Sequence, residues 1–66
     1  MKYTVICSDG YRLRSNEFEG RVPNIGETVC VDSNNDFHTN VFEVVDVVTD
    51  LTYSEPIYTV TLKEKR

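Results

Sequence analysis

The stretch VFEVVDVVT, residues 41–49, has the strongest strand pattern in the chain and decides the fold class. Its apolar residues are β-branched or aromatic, which favours a strand over a helix. The outward polar residues Glu43 and Asp46 differ in parity, so a regular strand cannot expose both of them. We therefore predict a β-bulge at Val44-Val45, which restores the alternation and curves the sheet.

The composition of the whole chain points to the same class. The 66 residues include no Ala, Gln or Trp and only three Leu, whereas Val, Ile and Thr together account for 20. Val, Ile and Thr favour strands over helices, so we expect an all-β protein. A chain of this length buries only about 60% of its unfolded surface, which limits residues 1–66 to a single β-barrel domain.

Charge and hydropathy restrict the environment of the protein. The formal net charge is −4, 39% of the residues are hydrophobic, and no apolar run approaches the roughly 18 residues of a membrane span. Residues 1–5 enter a strand pattern without the apolar run and cleavage site of a signal peptide. We expect a cytoplasmic protein with no membrane partner.

Alternation and turn signals predict four further strands, at residues 2–7, 11–14, 28–32 and 57–63. The turn between the third strand and its predecessor contains Pro23 and Gly26, and Gly26 is expected to be left-handed. The last strand places Tyr58, Val60 and Leu62 on one face.

The first two strands are predicted to form a hairpin around Ser8-Asp9-Gly10. A three-residue loop with a left-handed Gly10 pairs Cys7 with Tyr11 and Val5 with Leu13. A two-residue loop would instead place arginines on the face of Val5. The three-residue loop is therefore predicted, with Tyr3 on the same inward face.

Phe18 has the wrong parity to continue the second strand from Leu13, so that strand is expected to bulge, bend or end near Asn16. Five short strands with a bend in the second and a bulge in the fourth favour a small five-stranded barrel, open or closed, over a flat meander. The segments PNIGETVCV, residues 23–31, and FEVVDVV, residues 42–48, resemble the turn, Gly-acid, strand, loop, strand pattern of small SH3-like barrels. They are similar to short uncharacterised proteins of bacteria and bacteriophages, over roughly residues 22–62. The resemblance implies a barrel and no reaction. The tryptophan and acidic-aromatic ligand loop of peptide-binding SH3 domains and the basic surface of KOW domains are missing, so neither function is carried over.

The candidates for chemistry do not form a convincing catalytic or cofactor site. Cys7 and Cys30 have opposite parity, so one thiol is expected inside and the other outside, both reduced. His38 as a base for Cys30 would need a contact and an orienting third group that the sequence does not indicate. We expect no enzyme, no cofactor and no zinc site.

The acidic loop from Asp32 matches the oxygen-ligand spacing of an EF-hand, with Asn34, Asp36 and Glu43 at ligand positions. The match fails at Phe37, where the loop needs glycine. A weaker calcium site from Asp32, Asn34 and Asp36 stays open.

Apolar groups in otherwise polar loops are the candidates for partner binding. Phe37, beside His38, lies in a polar stretch, and Leu51 and Tyr53 lie between Asp50 and Ser54. An aromatic group in a polar rim is typical of a binding hot spot. The alternative, which we favour for Leu51 and Tyr53, is that they fold back to plug an open end of the barrel. For Phe37, truncation to Ala is predicted to weaken the partner contact more than the fold.

These residues favour a small non-catalytic protein-binding module, an accessory protein of a phage or mobile element that acts on a host protein or associates with itself. The alternative is an acidic mimic of nucleic acid that inhibits a DNA- or RNA-binding protein. Its acidic face would comprise Asp32, Asp36, Glu43, Asp46 and Asp50. Direct nucleic-acid binding through Arg12 and Arg14 is not favoured, because seven basic residues face 11 acidic ones.

Overall fold

The computed structural model describes residues 1–32 and 40–65, and these residues form an all-β structure. Its five strands are β1 (Lys2–Cys7), β2 (Glu17–Glu19), β3 (Thr28–Cys30), β4 (Val41–Asp50) and β5 (Ile57–Glu64). They make one sheet in the order β2-β1-β5-β4-β3. Adjacent strands are antiparallel except β1 and β5, which are parallel.

The sheet curls into a small SH3-like, partly open barrel, and the predicted bulge contributes to the curl. The register between β4 and β5 shifts between Val44 and Asp46, which confirms the bulge. At the margins, the Arg14 N–H donates to the carbonyl of Asp32 at 3.2 Å. This bond joins the chain just before β2 to the chain just after β3, so the two sides of the barrel meet there.

The core lies on the concave face of the curled sheet. Five core residues are almost completely buried: Val5, Phe42, Val44, Val60 and Leu62. Pro23, in the turn before β3, is also buried. Half-buried apolar residues surround them: Tyr3, Cys7, Tyr11, Leu13, Phe18, Val22, Val29, Val31 and Val47. Burial of each large apolar side chain contributes about 1.5–3 kcal/mol, so these few residues supply most of the driving force for folding.

The predicted strand at residues 11–14 is wrong, because β1 pairs with β2 and not with that segment. Tyr3 lies opposite Phe18 in the observed register. β2 pairs with only residues 2–4 of β1, and a cavity of about 360 Å³ lies between residues 5–7 of β1 and residues 10–16, so residues 11–14 do not join the sheet as a strand. The predicted inward orientation of Tyr11 and Leu13 is nevertheless confirmed, because both side chains contact the core from a segment outside the sheet.

The turns follow the glycine pattern of the sequence. Gly10 has φ of 81°, as predicted, and its N–H donates to the Cys7 carbonyl at 3.3 Å. Gly26 has φ of 91°, also as predicted. The third strand is shorter than the predicted residues 28–32 and ends at Cys30, although the Val31 N–H still donates to the Asn40 carbonyl at 3.0 Å.

The two cysteines lie in different environments, which confirms their predicted opposite placement. Both are free thiols, with Cys7 half-buried and Cys30 exposed. Burial, and secondly the charge of Asp9, raises the pKa of the Cys7 thiol. In the described part of the chain, no helix could span a membrane.

Candidate functional site

An open groove of about 660 Å³ lies over the first half of β1. Residues 2–4 of β1 form its floor, and β2 forms one wall. The other wall is the segment 53–58, which leads into β5. The groove therefore depends on the β1–β5 pairing, which brings residues more than 50 positions apart in the chain side by side.

Four aromatic residues meet in this groove. The register places Tyr3 opposite Phe18 on one side and beside Tyr58 on the other, so three rings form a row across β2, β1 and β5. The rings of Tyr3 and Phe18 stack, with centroids 5.8 Å apart and an angle of 22° between the planes. Tyr53 is the fourth, and 63% of its surface is exposed. Rigid aromatic surface in a concave site is typical of binding hot spots.

Carboxylates form the rim of the groove. Glu17 and Glu19 lie on β2, and Glu55 follows Tyr53 in the opposite wall. None of the three carboxylates is in an ion pair with any of the described residues, where the single salt bridge joins Arg21 to Glu27. The groove also contains Lys2, opposite Glu19. Three carboxylates against one ammonium group make the rim negative, so it attracts a cationic ligand.

The backbone of β2 adds hydrogen-bonding groups to this wall. The Val5 N–H donates to the Asn16 carbonyl at 2.8 Å, and the Gly20 N–H donates to the Met1 carbonyl at 2.7 Å. In an antiparallel ladder this alternation directs the backbone groups of Phe18 toward β1 and those of Glu17 and Glu19 away from it. The outer edge of β2 thus presents backbone groups beside the groove, where Ser15 Oγ already donates to the Glu17 carbonyl at 3.2 Å.

The predicted partner-binding residues are only partly brought together. Tyr53 lines the groove, whereas Leu51 lies outside it and is 73% exposed. The expectation that Leu51 and Tyr53 plug the barrel is wrong, because Tyr11, Leu13 and their neighbours cover the core instead. Phe37 and His38 lie outside the described residues.

The predicted acidic face is formed in part. Glu43, Asp46 and Asp50 lie opposite Lys63, Thr61 and Ile57 of β5, all on the outer face of the sheet. The bulge between Val44 and Asp46 shifts the alternation of β4 by one residue, so Glu43 and Asp46 face the same side of the sheet. Asp32 follows β3 and is exposed, while Asp36 lies outside the described residues. Hydrogen bonding by Thr52, first from its side chain and then from its N–H at 2.9 Å, lowers the pKa of Asp50.

A second cavity, of about 360 Å³, lies between residues 5–7 of β1 and residues 10–16. Its lining residues include the Cys7 thiol and the phenol of Tyr11, whose hydroxyl donates to Glu64 Oε2 at 2.7 Å. Because its raised pKa keeps this thiol protonated at neutral pH, the cavity offers poor nucleophilic chemistry. Of the three residues of the weaker calcium site considered from the sequence, Asn34 and Asp36 lie outside the described residues.

Sequence reasoning missed most of the groove. Tyr3 and Tyr58 were assigned to the inward faces of their strands, but the parallel pairing that makes them neighbours was not predicted. The available signal was an aromatic residue near the start of both strands, followed by matching β-branched residues. Glu17 and Glu19 flank Phe18 in strict alternation, which also marks a short strand.

Comparison with known proteins adds no functional assignment. No protein-family model, curated protein or solved structure matches the chain. The groove and the surfaces around it are therefore the features that indicate a function.

Proposed function

We propose that the chain is a small non-catalytic protein-binding module and that the groove over β1 is its binding site. The observation that carries this proposal is that four aromatic residues and three carboxylates, the latter without an ion pair to the described residues, line one open concavity. Aromatic residues are enriched at protein interfaces, and charged groups are typical of their rims. The resemblance to short phage proteins suggests an accessory role that acts on a host protein.

The size and edges of the groove suit a segment of a partner protein. At about 660 Å³ it lies within the range of roughly 300–1,000 Å³ typical of ligand sites. The Tyr53 ring projects into solvent, so it can be buried by a partner without repacking of the core. Burial of such a ring removes about 150–250 Å² of surface from water, which makes Tyr53 the expected anchor.

Affinity capture with matched variants tests the proposal. We expect Tyr53→Ala to reduce the captured partner by at least about tenfold at both low and high salt, because a lost aromatic anchor costs about 2 kcal/mol or more. Ile25→Ala is the control, since Ile25 is 65% exposed and lies in a turn away from the groove. Equal capture by the Tyr53 and Ile25 variants, with unchanged stability of both, contradicts the proposed site.

A second candidate function is supported by the placement of Glu43, Asp46 and Asp50 on one face of β4. An acidic mimic of nucleic acid would use such a row to occupy the site of a nucleic-acid-binding protein. The same capture experiment separates the two functions. A mimic loses its partner at high salt and is indifferent to Tyr53→Ala, because its contacts are electrostatic.

A further inference from the structure

The outer face of the central three strands carries a strip of uncharged β-branched side chains. Strand registers place Thr4 beside Thr59 and Ile6 beside Thr61 across the parallel pair. Val48 lies opposite Thr59 on the antiparallel side, and Ile57 begins the strip at the start of β5. The strip therefore runs continuously across β1, β5 and β4.

The apolar members of this strip are not covered by any described residue. Ile6 is 48% exposed, Val48 49% and Ile57 42%. The three threonines are only half-buried, although they lie at the centre of the sheet. Threonines separate the three apolar residues, and exposed apolar groups gathered on one face of a small protein mark an interaction surface.

Carboxylates border the strip on both sides. Glu17 lies opposite Thr4 on β2, and Glu19 lies opposite Lys2. On the other side, Asp46 and Asp50 flank Val48 on β4 and lie opposite Thr61 and Ile57. Lys2 on β1 and Lys63, opposite Glu43, lie on the same outer face. The two acidic borders are separated by three strand spacings, or about 14 Å along the sheet.

This charge arrangement argues against a second copy of the chain as the occupant. Two copies packed face to face about a two-fold axis, with strands aligned, place each acidic border against the same border or against the opposite one. Five carboxylates outnumber Lys2 and Lys63 on this face, so its net negative charge opposes the contact.

We infer that the strip binds a basic amphipathic helix of a partner protein, an inference that rests on the proposed protein-binding function. A helix with its side chains is about 10–12 Å wide, so it fits between the borders. Its apolar stripe covers Ile6, Ile57 and the threonines between them, and lysines or arginines at the margins of the stripe reach the carboxylates of β2 and those that flank Val48 on β4. The groove adjoins the strip, because Thr4, Ile57 and both β2 carboxylates line it.

Titration of the purified protein with synthetic helical peptides tests the inference. The probe is a peptide of about 18 residues, roughly 27 Å long, with a leucine stripe bordered by lysines. One control peptide has glutamates in place of the lysines, and another has the same composition without a stripe. We expect the probe to bind at least about tenfold more tightly than either control, and to shift the amide resonances of Ile6, Val48 and Thr59.

Paired variants locate the contact. We expect Val48→Lys to weaken binding of the probe by at least about tenfold, because it places a cation in the apolar strip. Ile25→Lys makes the same kind of change on an exposed turn, and we expect it to alter the affinity by less than about twofold. Equal effects of the two variants, or equal binding of the control peptides, overturn the inference.

Two further outcomes also overturn it. One is dimerisation of the protein alone that Val48→Lys abolishes, which would make a second copy the occupant. The other is absence of peptide binding while Tyr53-dependent capture persists, which would reject the helix and leave the proposed function standing. Binding of the probe without Tyr53-dependent capture supports the helix and rejects the groove as the anchor.

Discussion

Two leucines allow the same substitution to be compared at a buried and an exposed position. Leu62 on β5 is 1% exposed and packs in the core, whereas Leu51 after β4 is 73% exposed. Leu62→Ala removes buried methyl groups and leaves a cavity, which costs about 2–5 kcal/mol. Leu51→Ala is expected to change the free energy of unfolding by no more than about 0.5 kcal/mol.

The expected difference between the two variants is large compared with the free energy of unfolding of the whole domain. At about 0.05–0.15 kcal/mol per residue, a chain of 66 residues has a free energy of unfolding of roughly 3–10 kcal/mol. Each kcal/mol shifts the Tm of a domain of this size by about 4–8 °C. Leu62→Ala should therefore lower the Tm by at least about 8 °C or prevent folding, and Leu51→Ala should shift it by less than about 4 °C. Thermal unfolding followed by circular dichroism measures both, and a loss of about 2 kcal/mol or more for Leu51→Ala would refute its surface placement.

Two predictions concern the cysteines and a turn. Cys30 should react with a thiol reagent at pH 8 faster than Cys7, because Cys7 is less exposed and its raised pKa reduces its thiolate fraction. Mass spectrometry of the labelled protein measures the order of reaction, and faster labelling of Cys7 would contradict the prediction. Gly10→Ala should cost about 1–2 kcal/mol and Gly10→Asn less, since φ is 81° and no atom lies near an added Cβ. Urea denaturation compares them, and equal stability of the glycine and alanine proteins would exclude backbone strain.

The parts of the fold that local patterns control were predicted correctly. Parity alone required the bulge near Val44, and Gly10 and Gly26 adopt the left-handed conformations that their turns require. The inward faces of β1 and β5 also follow from alternation. In each case the physical cause lies within a few neighbouring residues.

The errors arose where pairing between distant segments decides the structure. Alternation predicted the inward face of Tyr11 and Leu13 but gave no information on which edge of β1 was free. The parallel β5 takes one edge and β2 takes the other, and neither choice is visible in a local window. The groove is assembled by those same two pairings. The sequence therefore predicts Tyr53 as a partner-binding residue but gives no indication of that role for Tyr3, Phe18 and Tyr58.

Photo-crosslinking from position 53 shows whether a partner protein occupies the groove. A photoreactive phenylalanine analogue is placed at Tyr53, and in a control protein at Ile25, both of which are exposed positions. After irradiation in lysate of the native cell, we expect the Tyr53 probe to form one discrete protein adduct that excess unlabelled protein competes away, and the Ile25 probe to form none. The same adducts from both positions, or none from Tyr53 under conditions in which the wild-type protein captures its partner, would contradict the groove as the binding site.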